Sequence, residues 1–312
     1  MNFTLTSAWT AASGYEAARL RVDEADLEHL YLGLLTIGGS AARLLGTRGV
    51  TLASARTHVR ALRPDDGLGP HTTGTAWLPP MSPQQYVDGD PEFRPTTRAR
   101  ELMERAEHGN TFDILVELLR EPSKVVRRLV HADGIEPQTL VSDLQAGADD
   151  QEAAQKVPVI AGVLPEPARA YQVRHFLPAP PELVAEVIAS DEFLPRWIFF
   201  GAEQLEGRVA TLDSGLTVAQ ELAREQRDDT LIVDWVQRML DSQYAGQALS
   251  YDHFQISPAP GGAEVIRDTG RRSFGFLSRL TAPVLDRKQS GHLLDYRYQL
   301  AFAVADRQAG VA

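Results

Sequence analysis

The sequence predicts a two-domain chain, in which an all-α first half precedes an α+β second half with an antiparallel sheet and a long C-terminal helix. The 312 residues suffice for two domains, at roughly 100–200 residues per domain. Apolar residues recur at helical spacing within residues 1–145 and alternate as in strands within residues 169–308. Residues 146–168 are rich in Ala, Asp, Gly and Pro and lack periodicity, which is typical of a linker.

The composition excludes several classes of protein. The chain has no cysteine, which excludes disulfides, thiolate metal sites, iron–sulfur clusters and cysteine nucleophiles. Its net charge of −11 argues against nonspecific nucleic-acid binding, which needs a basic face. No apolar run reaches the roughly 20 residues of a membrane-spanning helix, and the first residues lack the basic start of a secretory signal. We therefore expect a cytoplasmic protein that binds neither nucleic acid nor membrane.

The basic residues are almost all arginine, since only three of the 31 are lysine. None of these lysines follows a glycine, so the Gly-Lys-Ser/Thr end of a P-loop is absent and the chain is not an ATPase of that class. The arginine bias is typical of GC-rich bacterial genomes, those of actinobacteria among them.

Residues 3–62 are predicted to form helices, and the apolar run LYLGLL at Leu30–Leu35 lies in one of them. The next helix is predicted to end at Gly49, acting as a C′ glycine, and Thr51 is predicted to cap the one after it. Residues 63–92 are rich in Pro, Gly and Asp and predict a long internal loop. Helical spacing returns beyond that loop.

The order of these helices repeats, which predicts an internal duplication with a separation of 84 residues. Identical residue types coincide at this separation: Leu34 with Leu118, Leu35 with Leu119, Arg43 with Arg127, and Leu45 with Leu129. Gly49 coincides with Gly134 after one inserted residue.

Several short segments of the first repeat match a known family. They are Phe3-Thr4, Glu28-His29-Leu30, Leu32-Gly33-Leu34-Leu35, Ala41-Ala42, Leu44-Leu45, Gly49-Val50, Leu52, Arg56 and Val59. The second repeat is degenerate and matches through Phe93, Leu115, Leu118-Leu119 and Gly134. Residues 1–145 thereby resemble the double-repeat N-terminal domain of Clp/Hsp100 ATPases, the Clp-N domain.

This resemblance implies recognition of peptides, adaptors or phosphoarginine degrons, because Clp-N domains bind such ligands ahead of an ATPase motor. A Thr and a Glu form each phosphoarginine pocket in the family, and Thr4 and Glu28 stand at those positions here. The second repeat has Arg94, Phe112 and Asp113 instead, so a second pocket is not expected. The alternative for Glu28 is a carboxylate that interacts favourably with the start of its helix, and His29 is expected to be a structural histidine.

The second half is predicted to begin with a strand, YQVRHFL, followed by two short helices, of which the first is PPELVAEVIAS and the second DEFLPRWIFF. Five further segments are predicted as strands: LEGRVATL, LTVAQELAREQ, TLIVDWVQRML, ALSYDHFQISPA and AEVIRDTGRRSF. Pro-Gly-Gly between the last two indicates a hairpin. The closing helix carries an apolar stripe at period 3.6 from Phe276 to Val304, interrupted at Pro283 and Gly291.

This order of elements, with Ala179-Pro180-Pro181-Glu182, Leu194-Pro195-Arg196-Trp197 and Gly275-Phe276-Leu277, resembles the START-like, polyketide-cyclase (SRPBCC) superfamily. The resemblance implies a helix-grip fold in which the sheet and the closing helix enclose a cavity for a hydrophobic ligand. Seven large apolar residues are the candidate cavity residues: Trp197, Trp235, Tyr251, Phe254, Phe276, Tyr296 and Leu300. The alternative for each of them is a place in an ordinary core.

No catalytic or metal-binding motif is present. The chain lacks Gly-x-Ser-x-Gly, His-Glu-x-x-His and Gly-x-Gly-x-x-Gly, and none of its eight histidines pairs at i, i+4. His175 and His253 lie on predicted strands with Arg174, Arg267 and Arg271, but nothing places them at a substrate. We expect no catalytic residue, metal or cofactor.

The sequence therefore predicts a noncatalytic binding protein with two modules. The first would recognise a peptide, a degron or a small molecule directed at Clp, as an adaptor for Clp protease components or as a decoy, and the second would hold a hydrophobic ligand. One alternative is a cyclase- or hydrolase-like enzyme with a helical targeting module. Another is a metabolite-sensing regulator, which requires contact between the two halves, and the long linker does not favour such contact.

Overall fold

The computed structural model of the protein describes residues 5–20, 22, 24–62, 94–147, 154–194, 202–212, 215–241, 243–273 and 297–308. The predicted loop 63–92 lies outside these residues, as does most of the predicted closing helix before residue 297. Among the described residues, no helix is long and apolar enough to cross a bilayer.

Within its described residues, the first half is helical apart from one short parallel pairing of strands. Its helices are α1 (Leu5–Arg19), α2 (Leu27–Ile37), α3 (Ser40–Thr47), α4 (Leu52–Leu62), α5 (Thr97–Ala106), α6 (Thr111–Arg120), α7 (Val125–Ala132) and α8 (Pro137–Ala146). The paired strands are β1 (Glu24–Ala25) and β2 (Arg94–Pro95). This pairing departs from the predicted all-α half, and it joins the start of the second set of helices to the first set.

Local structure follows the predicted duplication. The N-caps of α2 and α6 are Asp26 and Asn110, 84 positions apart, and each begins a capping box with the third helical residue, His29 or Asp113. The next helix of each set ends in a left-handed glycine, Gly49 with φ 89° or Gly134 with φ 78°, which confirms the C′ role of Gly49. A repeated unit would place equivalent caps at equivalent positions in this way, and the duplication itself stays a prediction.

The predicted cap of α4 is also confirmed. The Thr51 hydroxyl accepts a hydrogen bond from the Ser54 backbone amide at 3.0 Å, and the Ser54 hydroxyl accepts one from the Thr51 amide at 3.1 Å. This reciprocal pair satisfies backbone donors that the first turn of a helix leaves unpaired.

The second half is built on an eight-stranded antiparallel sheet with the order β3-β4-β10-β9-β8-β7-β6-β5. Its strands are β3 (Gln155–Val157), β4 (Ala168–Leu177), β5 (Ala202–Glu206), β6 (Val209–Leu212), β7 (Thr217–Arg227), β8 (Thr230–Met239), β9 (Ala248–Ala259) and β10 (Gly262–Arg272). Helix α9 (Pro181–Ile188) follows β4, and residues 297–308 form a helix, here α10. This arrangement is compatible with a helix-grip α+β fold.

Two details of the sheet differ from the sequence prediction. Strand β3 lies within residues 146–168, which were predicted as a linker, and it pairs with β4. The predicted strand LEGRVATL is divided between β5 and β6, which pair as a hairpin around Gly207. The second short helix, DEFLPRWIFF, lies mostly outside the described residues. The predicted domain boundaries themselves stay a prediction.

Helix α10 belongs to both halves of the molecule. Its Leu300, Ala303 and Val304 pack in the core between the sheet and α9. Its Tyr298 and Phe302 pack instead in the core of the helical half, and the Phe302 ring meets that of Tyr15 edge-on at 6.4 Å. A helix that is apolar on opposite faces is stable only when both faces are covered, so each half covers one face of α10.

A second contact closes an edge of the sheet. Residues 173–177 of β4 lie beyond the short pairing with β3, and this edge is covered by the turn after α2. The Gly39 amide donates to the Phe176 carbonyl at 2.9 Å, and the Nε2 of His175 donates to the Ile37 carbonyl at 2.7 Å. Capping an exposed strand edge in this way prevents it from pairing with other chains.

Glycine is required at this edge. Gly38 has φ 75°, and a Cβ there would lie 2.0 Å from the Phe176 carbonyl oxygen. A similar approach joins α3 to the β9–β10 turn, where a Cβ on Gly46 would lie 2.4 Å from the Pro260 carbonyl oxygen. The expectation of little contact between the halves is therefore wrong, because the length of a linker does not limit which surfaces are complementary.

His175 makes this contact sensitive to pH. Burial and, to a smaller extent, the Arg297 charge lower its pKa to about 3, against the opposing effect of the hydrogen bond to the Ile37 carbonyl. Because the pKa in the folded state lies below the unfolded value near 6.5, the stabilisation is complete above about pH 6.5 and is lost as the pH falls toward 3.

We therefore expect the free energy of unfolding to fall below pH 6.5 by up to about 1.4 kcal/mol per pH unit from this group. Urea unfolding at a series of pH values measures the slope. The variant His175→Gln, which keeps a hydrogen-bond donor but does not titrate, should show a shallower slope. Equal slopes in the two proteins would contradict the assignment to His175.

Candidate functional site

The candidate site lies on the inner face of the sheet, which is the face covered by α9 and α10. Side chains alternate between the faces of a strand, and the registers of β7 to β10 place Leu222, Trp235, Asp252 and Thr269 side by side in one row across this face. The neighbouring row includes Phe254 and Arg267.

One end of the inner face is apolar and closed by the two helices. The core there includes residues from α9, β8, β9, β10 and α10: Val184, Val187, Ile188, Val233, Trp235, Phe254, Ile256, Val265, Leu300 and Val304. Trp235 is oriented by a hydrogen bond from its Nε1 to the Ile188 carbonyl at 2.9 Å, and the Arg208 guanidinium lies 5.5 Å from the centre of its ring. The sheet thus carries a large, rigid apolar surface next to a positive group.

The other end of the inner face has its own apolar cluster. Val218, Met239, Ala210 and Leu249 are buried together. Leu212, Leu216 and Tyr244 pack against them.

Between these apolar clusters lie six polar side chains, which we call the polar belt. Its members are Gln220, Gln237, Ser250, Asp252, Arg267 and Thr269. Within it, the Arg267 Nε and Thr269 Oγ1 donate to Asp252 Oδ1 at 2.8 and 2.5 Å, and Ser250 Oγ donates to Gln237 Oε1 at 2.5 Å. Asp252 and Arg267 are each only 6% exposed, so their charges neutralise each other inside the fold.

Gln220 is the exception within the polar belt. Its side chain is 4% exposed, and neither its Nε2 nor its Oε1 has a hydrogen-bond partner. Its neighbours on the same face of β7, Val218 and Leu222, pack in or against the two apolar clusters. A buried amide that leaves both its donor and its acceptor unpaired is costly in a folded protein.

The predicted cavity residues separate into three groups. Trp235, Phe254 and Leu300 lie together in the core of the inner face, whereas Trp197, Phe276 and Tyr296 lie outside the described residues. Tyr251 is a correction: it lies on the outer face, one residue out of phase with Asp252, where its hydroxyl accepts a hydrogen bond from the Ile160 amide at 3.1 Å. The reason is the period of two, which sends odd and even positions of one strand to opposite faces.

The two strand histidines also lie on opposite faces. His175 shares the inner face with Val265, while His253 pairs with Asp268 and Asp234 on the outer face. The His253 Nδ1 lies 2.5 Å from Asp234 Oδ1, and this hydrogen bond raises the pKa of His253. The two imidazoles therefore cannot act as an acid–base pair on one substrate.

The polar belt is the part of the site that sequence reasoning missed. A signal was available, because Asp252 and Arg267 occupy the same strand phase as the inward apolar residues Phe254 and Val265. Charged residues in the inward phase of two neighbouring strands indicate a buried pair. Arg267 was singled out only as a neighbour of the two histidines.

Of the two residues predicted to form a phosphoarginine pocket in the helical half, Glu28 lies within the described residues and Thr4 does not. Glu28 is 2% exposed near the start of α2. His29 accepts a hydrogen bond from the Asp26 amide through Nδ1 at 2.9 Å, which confirms its structural role. The pocket of Thr4 and Glu28 stays a prediction.

No protein-family model matches the chain, and no curated protein matches it. Solved structures that resemble part of it include human STARD10, with 11% identity, coverage of 56% of this chain and 82% of that chain, and a TM-score of 0.35. Ara h 8.0201 has 15% identity, coverage of 44% and 99%, and a TM-score of 0.28. A protein from Thermus thermophilus has 14% identity, coverage of 46% and 99%, and a TM-score of 0.30.

Proposed function

We propose that the second half of the protein binds a hydrophobic small molecule on the inner face of its sheet. The observation that carries the proposal is the polar belt between two apolar clusters. Binding sites for small molecules are mostly apolar and carry a few polar groups that orient the ligand. The apolar surface around Trp235 and Phe254 would provide affinity, and the polar belt would select the orientation.

The proposed function is binding rather than catalysis. Asp252 is engaged by Arg267 and Thr269, so the carboxylate is held as a structural partner of the guanidinium. The other members of the polar belt are amides and hydroxyls without an adjacent histidine on the same strand face. Groups that only donate and accept hydrogen bonds suit recognition, whereas general acid–base chemistry needs a group poised to exchange a proton.

Native mass spectrometry of the full chain tests this proposal. We expect the purified protein to carry extra mass that is released on denaturation, or to acquire it when incubated with apolar compounds such as decanamide. The variant Phe254→Asp, which places a charge in the apolar surface, should lose the adduct, while Val209→Asp at an exposed position should keep it. A protein without adducts that also binds none of the added compounds would refute the proposal.

A second candidate function is favoured by the position of α10. This helix packs on the site with one face and on the helical half with the other. A ligand that shifts α10 would therefore also change its packing against the helical half. This supports the alternative of a metabolite-sensing regulator, in which occupancy of the sheet changes a surface of the helical module. Recognition of a peptide, a degron or Clp components by that module remains a proposal that rests on the sequence resemblance.

A further inference from the structure

Gln220 carries information about the ligand that the apolar clusters do not. It is the member of the polar belt whose side chain has no hydrogen-bond partner at either polar atom, although the side chain is 4% exposed. Its backbone amide takes part in the sheet, where it donates to the Arg208 carbonyl at 2.8 Å. The side chain therefore lies at the inner face, and its polar atoms make no hydrogen bond that stabilises the fold.

The position of Gln220 is fixed by the sheet. It stands directly opposite Gln237 on β8, and Gln237 stands opposite Ser250 on β9. The Gln237 carbonyl oxygen is occupied by the Ser250 hydroxyl at 2.5 Å. The amide of Gln220 thus ends a row of polar side chains and presents one donor and one acceptor beside it.

The charged groups described near Gln220 are paired with opposite charges. The Arg208 guanidinium, which lies 5.5 Å from the centre of the Trp235 ring, donates to Asp191 Oδ1 at 2.8 Å. The charged members of the polar belt, Asp252 and Arg267, are paired with each other at 2.7 to 2.8 Å. The other members are amides and hydroxyls. An ionised ligand group brought next to Gln220 would lose its hydration without gaining an opposite charge, which is strongly unfavourable. A neutral group with its own donor and acceptor would lose its hydration but regain both hydrogen bonds.

We propose that Gln220 selects a neutral, largely apolar ligand that carries a hydrogen-bond donor and acceptor side by side, as in a carboxamide or a lactam. The two amides would pair through two hydrogen bonds, one in each direction. This inference rests on the proposed function, because it specifies the chemistry of the ligand at the same face of the sheet.

Titration calorimetry of the full chain with three probes that share a ten-carbon acyl chain tests the inference. After co-purified molecules are removed on a hydrophobic resin, we expect decanamide to bind about tenfold more tightly than methyl decanoate, which offers only acceptors. Decanoate should bind more weakly than decanamide, because its charge has no partner. In Gln220→Leu, decanamide and methyl decanoate should bind equally.

Gln226→Leu is the matched control, because Gln226 lies on the same strand face as Gln220 but is exposed. This variant should keep the preference for decanamide. Thermal unfolding separates recognition from a structural role: Gln220→Leu should raise the melting temperature of the ligand-free protein, since it removes an unpartnered buried amide. A lower melting temperature than that of Gln226→Leu would assign Gln220 a structural role and overturn the inference.

The outcomes distinguish the two proposals. If the wild-type protein binds all three probes with equal affinity, the inference about Gln220 fails while the hydrophobic site stands. If it binds none of them, both fail. If Gln220→Leu keeps the wild-type preference for decanamide, the amide is recognised elsewhere and the inference is wrong.

Discussion

Replacing Asp252 by alanine is expected to lower the free energy of unfolding by about 3–5 kcal/mol. The carboxylate of Asp252 accepts hydrogen bonds from Arg267 and Thr269 inside the sheet. The substitution takes this carboxylate away from the Arg267 guanidinium, which is 6% exposed. Urea unfolding of the purified variant, followed by circular dichroism, measures the loss.

Two comparisons make this result specific. The double variant Asp252→Leu with Arg267→Met removes both charges and should lie within about 1–2 kcal/mol of the wild type, since apolar residues often replace a buried pair without loss. Glu221→Ala breaks the exposed pair with Arg238, whose atoms are also 2.7 Å apart, and should cost at most about 1 kcal/mol. A similar small loss for Asp252→Ala would mean that water reaches the pair.

Replacing Phe302 by alanine is expected to destabilise the helical half, although Phe302 belongs to the closing helix of the other half. The ring is 3% exposed and packs edge-on against Tyr15 of α1. Truncating a buried phenylalanine costs about 3–5 kcal/mol, because the contacts are lost and a cavity remains.

Leu300→Ala is the matched comparison, since Leu300 lies on the same helix and packs in the core of the sheet. Hydrogen exchange of the full chain, read by mass spectrometry, localises each effect. We expect Phe302→Ala to raise exchange first in α1, and Leu300→Ala to raise it first in β8 and β9. Identical exchange patterns would show that the two cores open together and that α10 does not divide between them.

Local structure could be predicted well because its causes are local. The cap at Thr51 and the terminal glycine at Gly49 depend on residues within a few positions of each other. The strands after residue 200 could be predicted because apolar and polar residues alternate along them. The β3 strand was missed because three residues, Gln155–Val157, are too few to show a period.

The contact between the halves could not be predicted, because it joins positions more than a hundred residues apart. The bond from His175 to Ile37 spans 138 residues, and no periodicity connects them. One signal was present in α10, since Tyr298 and Phe302 lie off the predicted stripe through Leu300 and Val304 and make the helix apolar on two faces.

The candidate site was predicted in part. Size and apolar character selected Trp235, Phe254 and Leu300, which the structure places in one core, and their role as cavity residues stays a prediction. The same criterion selected Tyr251, which strand phase places on the outer face beside Gly270, where a Cβ would lie 2.1 Å from the tyrosine ring. Strand phase is therefore a better guide than side-chain size to which residues face the site. It also identifies Asp252 and Arg267 as inward-facing residues.

The sharing of α10 also sets the order in which the protein can be assembled. During synthesis the helical half leaves the ribosome first, yet Tyr298, Phe302 and Ala305 of its core are added only after the whole sheet has been made. Its apolar surface around Tyr15 therefore stays uncovered until residues beyond the sheet have been translated. We expect the nascent helical half to remain a chaperone client until α10 emerges, so that the two halves reach their final state in one step.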